Sequence, residues 1–276
     1  MQLDLLHCFA RVGTIAAALV TTFGIAATAH AGEGKDASAG DEAIQHNGLI
    51  LGAGVGVVGC TRSVCDDGHE SRPNLAVDGY LGWNFLGFVE LATTGGWGRL
   101  TPQVGGRENA LGLYGVDEGS YDDVAEQLGV SVSDLEITGA RSQLIHVAPV
   151  VRFHFPRRGR VAMFAGGGVG YLLYRNDYDA PDGDFRLDWH GVQVPVQAGL
   201  AIYASKRIAF DIYGTYRFAW YAAGRLDHPR ASGAAPTGAL GDAVDGAGLD
   251  FDAQLPHMWS VNLGIRFTLL SRDYLL

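Results

Sequence analysis

Over residues 258–269 the side chains change character at every step. Trp259, Val261, Leu263, Ile265, Phe267 and Leu269 hold one parity, and Met258, Ser260, Asn262, Gly264, Arg266 and Thr268 hold the other. One apolar and one polar face at a repeat of two is the pattern of a β-strand; a helix would scatter the same residues around its circumference. Residues 208–220 repeat it, with Ile208, Phe210, Ile212, Tyr216, Phe218 and Trp220 against Ala209, Asp211, Tyr213, Thr215 and Arg217. The same reading gives six more strands, at 48–59, 74–85, 88–97, 142–155, 161–174 and 190–203. Asp188 and His190 carry polar groups on the apolar parity of the 190–203 strand, which predicts a bulge near Gly191.

These segments are roughly 10–14 residues long, enough for a tilted strand to cross a bilayer, which takes about 9–11. No stretch after the N-terminal region reaches the 18 or so apolar residues of a membrane helix. Connections alternate between short (84–88, 156–160, 204–207) and long (60–73, 98–141, 175–189, 222–257). That asymmetry is expected of a barrel with tight turns on one side of a membrane and long loops on the other.

Alternation does not say which face points outward, and a soluble barrel with its apolar face around a ligand has the same period. Three features favour apolar outward. The polar faces are poor in charge and rich in Gly, Ala, Ser and Thr. Trp97, Trp189, Trp220 and Trp259 fall at the long-loop end, and Trp83 falls at the other with Phe85, Phe153, Tyr203 and Phe267, as two aromatic girdles would. Charge is layered: the long connections are strongly acidic, the turns carry Arg157, Arg158, Arg160, Lys206 and Arg207, and the polar faces balance Asp78, Glu90 and Asp211 against Arg152, Arg217 and Arg266. A buried interior requires that balance, because an unpaired buried charge is costly.

Arg11 precedes an apolar run at 12–27, and Ala29-His30-Ala31 offers a small-residue cleavage site, so 1–31 reads as a secretory signal peptide. Residues 32–47 then form a periplasmic segment, 48–270 the barrel and 271–276 a short tail. Cys60 and Cys65 remain after cleavage, and in an oxidising compartment they are expected to form a local disulfide. A net charge of −10 argues against nucleic acid as the main partner, and Lys35 and Lys206, the only lysines, are few for a water-soluble surface.

With these residues in view the chain resembles the small eight-stranded outer-membrane β-barrels of the OmpA, OmpX and OmpW type over about 48–269. Asn262, Gly264, Phe267 and Leu269 resemble the C-terminal assembly signal of such proteins, and the Gly-rich run 164–171 resembles one of their strands. The resemblance implies an all-β, antiparallel, up-and-down transmembrane barrel with long extracellular loops and both termini periplasmic, in the outer membrane of a Gram-negative cell. It implies as partners the outer-membrane lipid, lipopolysaccharide and the barrel assembly machinery.

Four acids in one long loop, Asp177, Asp179, Asp182 and Asp184, offer a divalent-cation site that could bridge to lipopolysaccharide phosphates; a solvated acidic loop tip is the plainer reading. Ser120 with Asp123 forms a capping box that predicts a short helix ending at Gly129. The six lumen charges read as a structural network or, alternatively, as a pore gate. His146, His154, His190, His228 and His257 are scattered, with no Ser/His/acid motif among them. The expected function is a non-enzymatic, cofactor-free barrel with a structural or surface-interaction role through acidic extracellular loops. A porin-like, OmpW-like passive conduit for small apolar molecules is the alternative, and a lipid A-modifying enzyme the third reading.

Overall fold

The computed structural model describes residues 47–61, 65, 72–85, 87–102, 104, 106–114, 116, 118–155, 160–181, 183–205, 207–229, 231–236 and 255–271. The segments expected to be a signal peptide and, for nearly all of its length, a periplasmic stretch lie outside them, as does the tail after Ser271. The main strands are β1 (Gly48–Thr61), β2 (Arg72–Phe85), β3 (Val89–Thr101), β4 (Gly139–His154), β5 (Val161–Gly168 and Gly170–Asp179), β6 (Phe185–Tyr203), β7 (Ile208–His228) and β8 (His257–Ser271). Each pairs antiparallel with the next, and β8 pairs back onto β1 from Gly48↔Ser271 to Thr61↔His257. The result is a closed eight-stranded up-and-down barrel. Closure satisfies the backbone of every strand and leaves no free edge.

The apolar faces point outward. Leu51, Leu81, Met163, Phe210 and Leu263 are exposed, while the polar-parity residues Glu90, Gln193, Asp211, Asn262 and Arg266 are buried. A water-soluble barrel would invert this, since burial of apolar surface is what drives its folding. Gly48 and Ser271 meet at the short-turn end, where Gly87 takes a left-handed φ of 72° in the β2–β3 turn.

Glycines make the corners of the barrel. A Cβ on Gly168 would stand 2.0 Å from the Pro149 carbonyl oxygen, and one on Gly56, Gly82, Gly166, Gly170 or Gly191 would stand 2.0–2.3 Å from the carbonyl oxygen of an adjoining strand. The backbone of the adjoining strand comes so close there that only a residue without a side chain leaves room for it. Strand β5 breaks at Val169, which the register sets opposite Pro149 of β4 and Val194 of β6, next to Pro195. Neither proline has an N–H to give the ladder at that level.

The strands run past their expected long-loop ends, β7 as far as His228. Above the apolar band both faces are wet or packed on loop, so the contrast that reveals a strand in sequence fades. The bulge expected in the 190–203 strand is not in β6 but opposite Gly191 on its neighbour β7: Tyr221 pairs with Gly191 and Ala223 with His190, leaving Ala222 as the extra residue. Its effect is to exchange the faces of β7. Above it Arg225 and Asp227 point outward, and Leu226 and His228 are buried inside. Asp188 and His190 need no parity change in β6: they face outward, His190 in the top row of the apolar band and Asp188 just above it.

Between β3 and β4 the chain forms an apolar-faced cap containing helix α1 (Tyr121–Leu128), with Val124 and Ala125 buried. The helix ends as expected, with Gly129 left-handed at φ 73°. Its start differs. Ser120 makes no side-chain cap bond. The reciprocal pairing occurs further along the connection, where Asp134 accepts from the N–H and hydroxyl of Ser131 at 3.0 and 2.6 Å. Ser120 has helical dihedrals (φ −105°, ψ 0°) because a short 3-10 turn, Glu118–Ser120, runs into the helix. A cap residue must be extended to reach the free N–H groups.

Candidate functional site

The barrel interior is occupied along its length. Near the short-turn end, alternation on β3, β4, β7 and β8 turns Glu90, Arg152, Asp211 and Arg266 inward together. Glu90 accepts from Arg152 Nη1 at 2.7 Å and lies 3.2 Å from Arg266 Nη1; Arg266 Nη2 donates to Asp211 at 2.9 Å. The Tyr80 hydroxyl donates to Asp211 at 2.6 Å, and its ring lies 4.4 Å beneath the Arg152 guanidinium. His154 Nε2 is 3.1 Å from Glu90, and Gln197 accepts from Arg152 Nε at 2.9 Å. A second layer sits above. Asp78 accepts from Asn262 at 2.9 Å, and lies 3.0 Å from His146 Nε2 and 3.6 Å from Arg217 Nη2. Arg217 also donates to Ser260 at 2.9 Å. Buried charges persist only when paired and hydrogen-bonded, and these layers meet that condition with one another.

All six lumen charges read from the sequence therefore converge. Tyr80, His146, His154, Gln197 and Ser260 belong with them. Their parity marked the inward face, but which of them meet depends on register across non-adjacent strands.

The long-loop mouth is closed by an apolar cluster. Leu100, Leu144, Leu172, Leu187, Trp189 and Met258 from the strands pack with Leu111, Leu113, Tyr114, Leu135 and Ile137 from the β3–β4 connection. Tyr114 is its keystone: its hydroxyl lies 2.6 Å from that of Tyr178 and accepts from Asn176 at 3.0 Å and Trp189 at 3.2 Å. Above the apolar band, burial pushes the phenols of Tyr114 and Tyr178 over their ordinary pKa. Trp189 is thus inside the barrel and not on the girdle, because its odd parity in β6 faces the lumen. No sequence signal identified Tyr114, which lies in an irregular segment. Cys60 and Cys65 are disulfide-bonded with Cα atoms 5.8 Å apart, and both pack against this cluster.

Three of the four acidic loop residues meet groups of the chain itself. Arg186 donates to Asp177 at 2.7 Å, Arg141 reaches Asp179 at 3.3 Å, and Asp184 accepts from the Ala180 N–H at 3.4 Å. Asp182 lies outside the described residues. Among the described residues no three His, Cys, Asp or Glu side chains converge on a point where an ion could sit. His146 and His154 are held by carboxylates beside arginines, and His190 lies on the outer wall, 2.6 Å from the Tyr171 hydroxyl.

No family model and no curated protein matches the chain. Solved structures do. A major outer membrane protein from Thermus thermophilus is 12% identical, with a TM-score of 0.51 over 81% of this chain and 99% of that one. OprG of Pseudomonas aeruginosa is 12% identical with a TM-score of 0.46, covering 83% of this chain and 100% of that one. Neisserial surface protein A is 9% identical with a TM-score of 0.44, over 80% and 97%. At such identities the likeness is one of fold, and the fold is that of the outer-membrane β-barrels.

Proposed function

We propose that this chain is a non-conducting, non-enzymatic outer-membrane barrel, exported by its N-terminal signal, whose work is done at the outer surface by its long loops. One observation carries the reading: the lumen is filled by two ion-paired layers, and the mouth above them by the chain's own apolar plug. A passage for water or ions would need an open, wetted interior, and an enzyme of this class would need a nucleophile and base in contact on an accessible wall. The absence of a Ser/His/acid pattern supports the non-enzymatic reading.

The apolar lining of the mouth favours one second reading. If the β3–β4 connection swings out, Leu100, Leu144, Leu172 and Trp189 would line a cup suited to small apolar molecules, which is the conduit alternative.

The test is conductance of the heat-modifiable folded protein in a planar bilayer. A flat trace for the intact chain supports the surface role; steady openings in the intact chain would overturn it. Uptake of a small apolar dye into vesicles by the intact chain would favour the conduit.

A further inference from the structure

The outer wall carries a belt of arginines that the sequence hides among its acidic loops. The last apolar row on β3–β6 is Trp97, Ile145, Leu173 and, closing it, His190, joined by the registers Trp97↔Ile145, Ile145↔Leu173 and Leu173↔His190. One step of two residues higher, about 6.6 Å, the paired row is Arg99, Gln143, Arg175, Asp188 and Arg225. Arg225 joins it only because the Ala222 bulge exchanges the faces of β7. Arg175 grips Asp188 through two bonds of 2.9 and 3.0 Å. Gln143 accepts from the Trp97 indole at 3.2 Å. Arg99 and Arg225 are exposed, and among the described residues neither is met by a carboxylate. This row is net positive, on a chain that is net negative. The row above it pairs Arg141, Asp177, Arg186 and Asp227 and is balanced. A cleft of about 630 Å³ opens above this row, where Arg99, Arg141 and Arg186 are joined by Asp177, Asp179, Asp184 and Asp227, so the positive charge is confined to the row beneath it.

We infer that the belt binds the phosphate groups of an anionic lipid of the outer leaflet. The inference rests on the outer-membrane reading above. Height decides the ligand: the first polar row over the hydrocarbon lies where headgroup phosphates lie, within a Debye length of them. Charge decides it again, since the free donors in that row are guanidiniums, which fit phosphate oxygens in pairs. The girdle residue Trp97 and the apolar rows below would take the acyl chains of the same molecule.

The experiment uses the intact folded protein in phosphatidylcholine nanodiscs doped with lipid A, either bis-phosphorylated or enzymatically dephosphorylated. Retained lipid is read by native mass spectrometry, and folding by the heat shift on a gel. The phosphorylated form should be retained in preference, and Arg99→Gln with Arg225→Gln should cut that retention about tenfold while the heat shift persists, two charge-assisted contacts having been removed. Inorganic pyrophosphate should not displace the lipid. Equal retention of the two lipids by inserted wild-type protein overturns the belt and leaves the barrel reading standing, and needs no variant. Displacement by pyrophosphate overturns it in favour of a soluble-anion site. Protein that fails to insert at all overturns both readings.

Discussion

Single side chains decide whether the interior is tolerable. Arg266 holds Glu90 and Asp211 at once, at 3.2 and 2.9 Å, with all three side chains almost wholly buried. Arg266→Ala should therefore cost about 3–5 kcal/mol, because it leaves Asp211 buried without a cation and Glu90 with Arg152 alone as its guanidinium partner. Urea unfolding in lipid micelles measures it, and a loss under about 1 kcal/mol would mean that the layer is wetter than its geometry implies. The six charges were legible because inward parity selects them and electroneutrality requires them to match. Their histidine, tyrosine and amide partners were legible only as members of the inward face. Contacts such as Asp78 with Asn262, 184 positions apart, follow from barrel closure.

At the scale of the element, the β3–β4 connection behaves as a small folded plug. Its keystone phenols are neutral where they are packed. Because burial raises their pKa, their stabilisation is complete below the ordinary tyrosine value of about 10 and is lost as pH rises from there through the folded-state values. Proteolytic cleavage within 118–135 should thus be slow at neutral pH and accelerate above about pH 10, while the barrel band on a gel is unchanged. Cleavage that is flat across that range would show that Tyr114 does not hold the plug. The helix α1 was legible from Gly129, while the Ser120–Asp123 box that also pointed to it does not form. The plug's docking was not, because nothing local says which apolar loop residues will find the mouth.

For the whole molecule, closure depends on the glycine corners. Gly168→Ala puts a methyl 2.0 Å from the Pro149 carbonyl oxygen, and backbone cannot yield as a side-chain tip can. The expected loss is about 1–3 kcal/mol and a smaller heat-resistant fraction. Gly119→Ala, with nothing within 4 Å of the new methyl, is the control and should stay within about 0.5 kcal/mol. Equal behaviour of the two variants would remove the corners from the account.

The aromatic girdles and the layered charge determined that the apolar face is the outer one. Alternation with a period of two determined the number of strands and which residues share a face, because side-chain parity is a local property of an extended chain. The turn–loop asymmetry determined which end is which for the same reason. Tertiary structure decided the rest. Register fixed which inward groups meet, and the Ala222 bulge exchanged the faces of β7 and raised Arg225 into the belt. Folding of the mouth brought Tyr114 of the β3–β4 connection onto the inward-facing Trp189. Each depends on what a residue on a neighbouring strand does, which no window of sequence contains.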